Sequence, residues 1–218
     1  MRVFVHTANL GGFDAVRTPV RQVDVEITYR IFTDTEFPPR PRAMTRRLQA
    51  RIPKMFGWDL EPGYDAYFWH DASLQLSKPD SVAWFLDQMN GHDIVVFAHP
   101  VRKSAKEEAD FLRVKLAKGS KYICSRYEGE DLDGQMKAIN HGWFSDDKLY
   151  ASGAFIYRPT IRMQAAMRLW WEHTSRFHCI DQLAFPYVLD ACRTTVKVLD
   201  QDIYHASHLL WTRQHRHG

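Results

Sequence analysis

Asp71 occupies the position in this chain that best suits ligand chemistry. It directly follows the aromatic-rich run of residues 64–70, and Ser73 and His70 lie close to it in the sequence. Short apolar and aromatic runs favour a strand buried on both faces. A carboxylate at the carboxyl end of such a strand lies where open α/β sheets bind their ligands. One interpretation is that Asp71 only begins a turn; the other is that it holds a divalent metal against a diphosphate.

Two further polar residues follow predicted strands. Asp34 comes after the predicted strand 27–32, and His99 comes after the predicted strand 93–98, beside the rigid Pro100. An acidic residue after a second strand often binds a ribose or a base edge in nucleotide-binding α/β folds, although Asp34 considered alone fits a turn or a helix cap better. We expect one edge of a sheet to collect Asp34, Asp71 and His99.

A basic segment precedes the Asp71 strand. Arg47 and Arg51 are four residues apart and Lys54 follows them, so the two arginines share one face of a predicted helix over 44–52. Arginine donors on one face could bind phosphate oxygens. The alternative is a solvated basic helix with no ligand. A second basic cluster occupies the tail, residues 213–217.

Strands that alternate with helices predict one α/β domain with a mostly parallel sheet flanked by helices. Gly153 lies inside a predicted strand, where glycine often marks close approach by a ligand or another backbone. The predicted strands are 3–8, 27–32, 64–70, 93–98, 149–157 and 196–199, and the predicted helices are 44–52, 81–90, 104–119, a piece after Asp131, 160–173 and one that begins at Asp181.

Composition excludes several classes of protein. With 218 residues and 45% hydrophobic residues the chain can bury a core, and a net charge of +3 is too small to indicate a dedicated nucleic-acid binder. No apolar run approaches the length of a membrane span. Three cysteines without metal spacing indicate reduced thiols. The chain begins at its first strand without a signal peptide or anchor, so we expect a cytoplasmic protein.

Four ordered blocks resemble a known family. They are Phe32-Thr33-Asp34, the run 68–76 around Asp71, His99-Pro100 with Arg102, Glu107 and Glu108, and the stretch 149–185 that contains Gly153, Trp170-Trp171-Glu172 and Asp181-Gln182. The chain thereby resembles a glycosyltransferase-like family first catalogued as a domain of unknown function, with plant Golgi members implicated in pectin and mucilage synthesis. The resemblance implies a single GT-A-like domain, with nucleotide-sugar binding in about 1–100 and acceptor binding and catalysis in about 101–218.

The resemblance also implies a donor site. Asp71 and Ser73 would stand where GT-A enzymes keep an Asp-x-Asp motif that binds Mn²⁺ or Mg²⁺ and the donor diphosphate, with a hydroxyl in the second position. His205 or His208 would complete the metal site, although either could be an ordinary surface histidine. Further donor contacts would come from Thr7, Asp34, Arg47, Arg51, Lys54 and Gly153.

Catalytic and sugar-binding roles follow from the same resemblance. Asp181 is the first candidate for the carboxylate that orients the acceptor or stabilises the positive sugar, and Glu172 is the second. Asp181 would otherwise cap a helix. Gln182, His99 and Arg102 would bind the donor sugar or the acceptor.

These inferences predict a metal-assisted hexosyl- or pentosyltransferase that uses a nucleotide sugar and a hydroxyl acceptor, in a bacterial or viral-host cytosol. The acceptor would be a polysaccharide, a glycoside or a modified nucleic acid, and the last includes DNA-base glycosylation of the viral type. Two alternatives stand beside this prediction. One is a metal-dependent phosphoesterase built on His70, Asp71 and His99; the other is a non-catalytic nucleotide-sugar-binding module, suggested by Ser73.

Overall fold

A six-stranded sheet forms the centre of the computed structural model, which describes residues 1–16, 19–140, 143–178 and 180–212. The basic tail and Cys179 lie outside the described residues. The strands are β1 (Arg2–Ala8), β2 (Glu26–Phe32), β3 (Ala66–His70), β4 (Leu74–Leu76), β5 (Ile94–Ala98), β6 (Tyr150–Tyr157), β7 (Val196–Leu199) and β8 (Leu209–Trp211). The sheet order is β2-β1-β3-β6-β5-β7, and β4 pairs with β8 in a separate ribbon.

Helices cover both faces of the sheet. The described helices are α1 (Arg46–Leu60), α2 (Ser81–Met89), α3 (Ala105–Ala117), α4 (Lys121–Tyr127), α5 (Leu132–Ile139), α6 (Ile161–Arg176) and α7 (Phe185–Ala191). None of these helices has the length and apolar character needed to cross a membrane. The arrangement confirms the predicted α/β class with a mostly parallel sheet.

Five elements differ from the sequence prediction. Helix α1 runs through Pro53 to Leu60, and α7 begins at Phe185 after a turn at Asp181. The short α4, β4 and β8 were not predicted. Proline is a strong local signal for a helix end, but here tertiary packing of the following turn overrides it. A three-residue strand such as β8 forms only because β4 lies opposite to it, and no local pattern encodes that partner.

The strand ends that precede Asp34, Asp71 and His99 lie at one edge of the sheet. Strands β2, β1 and β3 are mutually parallel, β6 runs antiparallel to β3 and β5, and β7 is parallel to β5. The carboxyl ends of β1, β2, β3, β5 and β7 and the amino end of β6 therefore share this edge. Asp34, Asp71 and His99 all follow strands at this edge, as predicted.

Strand β6 bulges at this edge. Val96 of β5 pairs with Phe155, but the next residue, Phe97, pairs with Ala151. The three residues 152–154 are therefore out of register with β5, as in an enlarged β-bulge. A bulge bends its strand and redirects side chains, and here it directs Ser152 and Gly153 towards the end of β3.

Helix α1 is bent where it passes over β1. Phe56 has non-helical backbone angles (φ −118°, ψ 20°), three residues after Pro53. The buried His6 of β1 donates its Nε2–H to the carbonyl oxygen of Pro53 at 3.0 Å, and a carbonyl can only accept, which fixes the tautomer. Gly57 lies against the same ring. The bend, the histidine and the glycine therefore form one packed unit that sets the path of α1.

Substituting Gly57 tests this packing. A Cβ on residue 57 would overlap the His6 ring, so Gly57→Ala should lower the free energy of unfolding by about 1–3 kcal/mol. In an ordinary helix interior the same change is stabilising by about 1 kcal/mol. Chemical denaturation of both proteins measures the difference, and a stabilised variant would contradict the described packing.

Buried His6 also makes stability depend on pH. Burial lowers the pKa of the His6 imidazole from 6.5 to about 3, so the folded protein keeps it neutral while the unfolded chain takes up a proton below pH 6.5. Its contribution to stability is complete above pH 6.5 and is lost as the pH falls from 6.5 towards 3. His6→Gln, which can still donate to Pro53, should reduce the pH slope of the unfolding free energy by up to about 1.4 kcal/mol per pH unit. Denaturation series at several pH values in this window measure the slope, and equal slopes would contradict the prediction.

Candidate active site

A buried cluster of charges lies beneath the carboxyl edge of the sheet. The ammonium of Lys54, on α1, is 2.6 Å from Asp181 Oδ2 and 3.4 Å from Asp71 Oδ1. Arg51, one helical turn earlier, places its Nε 3.2 Å from Asp181 Oδ2. The Lys54 side chain is fully buried. We call Arg51, Lys54, Asp71 and Asp181 the charge cluster.

Aromatic rings enclose the ammonium of Lys54. The Nζ atom lies 5.6 Å from the centre of the Trp69 ring and 5.7 Å from that of Trp170, within the range of cation–π attraction. Both indoles also bind the aspartates. Trp69 Nε1–H donates to Asp71 Oδ1 at 2.9 Å, and Trp170 Nε1–H donates to the backbone oxygen of Asp181 at 2.7 Å. The two rings therefore fix the geometry of the cluster as well as shielding it.

The bulge of β6 supplies the remaining contacts. Ser152 Oγ donates to Asp181 Oδ1 at 2.8 Å, and the amide of Asp71 donates to the Gly153 carbonyl at 2.7 Å. A Cβ on Gly153 would lie 3.2 Å from Ile203 and from Leu74. Glycine at this position leaves room for the side chains of Ile203 and Leu74, so the close approach at Gly153 is made by side chains and not by another backbone.

The two aspartates differ sharply in exposure. The Asp181 side chain is 4% exposed, whereas that of Asp71 is 39% exposed. Burial would raise the pKa of Asp181, but Arg51, Lys54 and the Ser152 hydroxyl outweigh it and hold the pKa below its usual value. Asp181 is therefore an ionised carboxylate whose charge is compensated inside the protein. Asp71 is the carboxylate of this cluster that faces solvent.

This geometry changes the roles inferred for the two catalytic candidates. Asp181 does not cap α7, whose N-cap is Ala184; its carboxylate is engaged by Arg51, Lys54 and Ser152 and has almost no exposed surface. Glu172 is exposed on α6 and pairs with Arg176 at 3.7 Å, so the structure does not bring it into the charge cluster. Helical periodicity explains the difference, because Trp170 occupies the buried face of α6 and Glu172 lies on the opposite side.

The predicted nucleoside contacts lie at the neighbouring strand ends. Asp34 accepts from the amide of Gly11 at 3.1 Å and pairs with Arg46 at 3.3 Å, so its carboxylate holds the loop after β1. Thr7 is completely buried and has no surface to offer a ligand. The Arg47 guanidinium lies 5.6 Å from the centre of the Tyr127 ring.

A second polar group lies at the carboxyl end of β5. Arg102 Nε donates to Glu108, and the backbone amide of Arg102 donates to His99 Nδ1 at 2.9 Å. Burial, reinforced by the nearby Arg102, lowers the pKa of His99 to about 4, and burial raises the pKa of Glu108 although Arg102 opposes it. Burial raises the pKa of Tyr204, and Asp71 and Glu108 add to that rise. The Tyr204 hydroxyl thus lies within electrostatic range of the Asp71 and Glu108 carboxylates.

The C-terminal segment is attached to the strand that follows Asp71. Thr212 donates its amide and its hydroxyl to the Ser73 carbonyl, at 2.8 and 3.0 Å. Gln182, next to Asp181, is half-buried. Ser73 follows Asp71 by two residues and Gln182 directly follows Asp181, and their roles in binding the donor or the sugar stay predictions.

The residues present do not assemble the predicted metal site. His205 is an exposed side chain that pairs with Asp202 at 2.9 Å, and His208 stacks on Trp84 with ring centres 4.4 Å apart. Within the described residues no group of three or more His, Cys, Asp or Glu side chains could hold a metal ion. Asp71 Oδ1 already accepts from Trp69 and faces the Lys54 ammonium. Asp71 Oδ1 is therefore already occupied by an ammonium and an indole N–H group, which does not fit a divalent cation at that oxygen.

Several residues of the site escaped sequence analysis. Ser152, Trp69, Trp170 and Glu108 were assigned no role, yet each contacts a charged group of the site. A serine between Ala151 and Gly153 in an otherwise apolar strand was the available signal. Buried polar residues require partners, so the serine indicated a buried acceptor, but not which one.

Removing the buried ammonium tests the energetic role of the cluster. Lys54→Met removes the fully buried ammonium that pairs with Asp181 and Asp71. It should lower the free energy of unfolding by about 3–5 kcal/mol. Lys106→Met is the matched control, because Lys106 pairs with Asp110 at 2.6 Å on the exposed face of α3, and should change stability by no more than about 0.5 kcal/mol. Chemical denaturation at neutral pH compares the variants, and similar losses for both would contradict the assignment.

Comparison with known proteins identifies the family. The family model described as TOD1/MUCI70, glycosyltransferase-like domain matches residues 41–208. No curated protein matches the chain. Similar solved structures include A197 from STIV, at 11% identity and a TM-score of 0.38. The match covers 91% of this chain and 82% of A197. Another is a glycosyltransferase involved in the glycosylation of the major capsid of PBCV-1, at 8% identity and a TM-score of 0.46. The match covers 93% of this chain and 82% of the glycosyltransferase. Both scores are below 0.5, so the fold assignment rests on the sheet topology.

Proposed function

Since the chain belongs to the TOD1/MUCI70 glycosyltransferase-like domain family, we propose that it transfers a sugar from a nucleotide-sugar donor to an acceptor hydroxyl. The observation that carries this proposal is the position of Asp71. Its carboxylate is at the carboxyl edge of the sheet, is fixed by Trp69 and Lys54, and retains an exposed surface. Ligands of open α/β sheets bind at this edge.

Asp71 is the residue that we assign to the reacting sugar. In glycosyl transfer the bond from the anomeric carbon to the diphosphate breaks, and its electron pair leaves with the diphosphate oxygen. The acceptor oxygen forms the new bond to that carbon, and its proton passes to the released nucleoside diphosphate. A fixed carboxylate beside the anomeric carbon stabilises the positive charge that develops there. Asp181 acts as a positioning residue, because it orients Lys54 and Arg51 without an exposed surface of its own.

The negative charge of the departing diphosphate requires a cation that is close to the charge cluster and accessible to the ligand. Arg51 keeps 15% of its side chain exposed, and Arg47 lies one turn earlier on α1. Guanidinium groups bind phosphate oxygens through paired N–H donors. We assign the diphosphate to this face of α1 and the acceptor to the side of His99, Arg102 and Tyr204.

The alternatives receive less support from the geometry. His70 is buried, its ring stacks on Tyr29 with centres 5.8 Å apart, and its Nδ1–H reaches the backbone oxygen of Asp71 and not the carboxylate. The phosphoesterase therefore lacks its constellation of His70, Asp71 and His99. Nucleic acid as an acceptor has no specific observation in its favour, because Arg46 of the basic segment is paired with Asp34. A non-catalytic nucleotide-sugar-binding module would have the same donor site as the proposed enzyme, and only the absence of turnover would distinguish it.

Donor binding and turnover test the proposal together. The melting temperature of the protein is measured with UDP, GDP, ADP, CDP and the corresponding nucleotide sugars, with Mg²⁺ and Mn²⁺ present. A ligand at about 100 times its dissociation constant stabilises the folded state by about 2.7 kcal/mol, so one nucleotide should raise the melting temperature. That donor is then assayed for hydrolysis and for transfer to a panel of glycosides.

Asp71→Asn keeps the shape of the side chain and removes its charge. We expect it to retain nucleotide binding and to lose turnover by about a hundredfold or more. Asp133→Asn is the matched control, since this carboxylate is 83% exposed on α5 and should leave turnover unchanged. Absence of any shift with all four nucleotides would contradict the proposed donor site. Binding without turnover in the unsubstituted protein would favour the binding module.

A further inference from the structure

We propose that the ammonium of Lys54 takes the place of the divalent cation at the strand-end carboxylate, so that this protein binds its donor without a metal. The inference rests on the proposed function for the identity of the ligand. The Asp-x-Asp position implies a bound metal ion, whereas Asp71 contacts an ammonium and an indole N–H. A cation is present at that position, and it is part of the chain.

The position of Lys54 is the first argument. Its Nζ lies 2.6 Å from Asp181 and 3.4 Å from Asp71, so one ammonium links a carboxylate that follows β3 with a carboxylate that precedes α7. Bridging two carboxylates from separate segments is a task that metal ions perform in other proteins. The ammonium is fully buried, which makes it a permanent part of the site and not an exchangeable ion.

The coordination available at Asp71 is the second argument. Its Oδ1 atom accepts a hydrogen bond from Trp69 Nε1 at 2.9 Å in addition to the Lys54 contact. The second position of the motif is Ser73, whose hydroxyl is a poorer ligand for a hard cation than a carboxylate. A divalent ion on Asp71 Oδ1 would therefore share that oxygen with an indole donor and would stand beside the positive charge of Lys54.

The charge of the donor is the third argument. A nucleoside diphosphate needs positive charge near its phosphates, and α1 carries Arg47 and Arg51 on one face, four residues apart. Arg51 is joined to Lys54 through Asp181. The same carboxylate thus orients a buried cation for Asp71 and a partly exposed cation for the ligand. Lys54 fixes the carboxylate of Asp71, and Arg51 and Arg47 neutralise the diphosphate. In a metal-dependent site a metal ion would do both.

Direct measurement of Mn²⁺ binding tests the role of Lys54 without a nucleotide. Free Mn²⁺ is titrated with the protein and followed by electron paramagnetic resonance. The unsubstituted protein should leave the signal of aqueous Mn²⁺ unchanged. Lys54→Met should gain a Mn²⁺ site because two carboxylates then face the vacated position, whereas Lys106→Met, which removes an exposed lysine paired with Asp110, should not.

Two results of this titration would overturn the inference. The first is Mn²⁺ binding by the unsubstituted protein that disappears in Asp71→Asn. The second is a folded Lys54→Met protein, verified by circular dichroism, that still binds no Mn²⁺. If Lys54→Met does not fold, the titration of the unsubstituted protein and of Asp71→Asn decides the question.

Nucleotide binding in the absence of metal provides the second test. The dissociation constant of the nucleoside diphosphate that stabilises the protein is measured in EDTA and in millimolar Mn²⁺, and should change by less than about threefold. Binding that weakens by about tenfold or more in EDTA would overturn the metal-independent site while supporting the proposed donor site. Absence of binding under both conditions would instead contradict the proposed function, and the Mn²⁺ titration would then decide the role of Lys54.

Discussion

The structure of the site depends on one buried ammonium. Lys54 has no exposed surface and contacts both Asp71 and Asp181, so it links the two carboxylates inside the protein. Burying a charge is unfavourable unless partners compensate for it, and here two carboxylates and two indole rings do so. The bend of α1 near Phe56, against His6 and Gly57, is part of the same arrangement because α1 carries Lys54 into the protein.

The sheet provides the second constraint. Strand β6 runs against its neighbours β3 and β5, so its amino end lies among the carboxyl ends of the parallel strands. The shift in its register directs Ser152 towards Asp181 and lets Gly153 approach the end of β3. Residues from both halves of the chain therefore meet at one edge. Asp71 belongs to the first half, whereas Ser152 and Asp181 belong to the second.

Burial divides the roles of the two aspartates. Asp181 is enclosed among charged partners, and Asp71 is fixed on one side and exposed on the other. An enclosed carboxylate can orient cations, and only the exposed one has surface available to a ligand. The group of His99, Arg102 and Glu108 lies at the next strand end along the same edge, and Tyr204 is within electrostatic range of it and of Asp71. In the proposed function, this edge would bind the donor on one side of Asp71 and the acceptor on the other.

The sequence by itself determined the alternation of strands and helices, and with it the edge where Asp34, Asp71 and His99 follow their strands, because side-chain periodicity and turn residues act locally. It did not determine that α1 continues through Pro53, that Asp181 is buried, or that Glu172 lies on the exposed face of α6. It also did not show that His208 packs on Trp84. Each of these depends on which distant residue lies opposite. Burial, ion pairing and the register of β6 are set by contacts between segments far apart in the chain, so only the tertiary structure decided them.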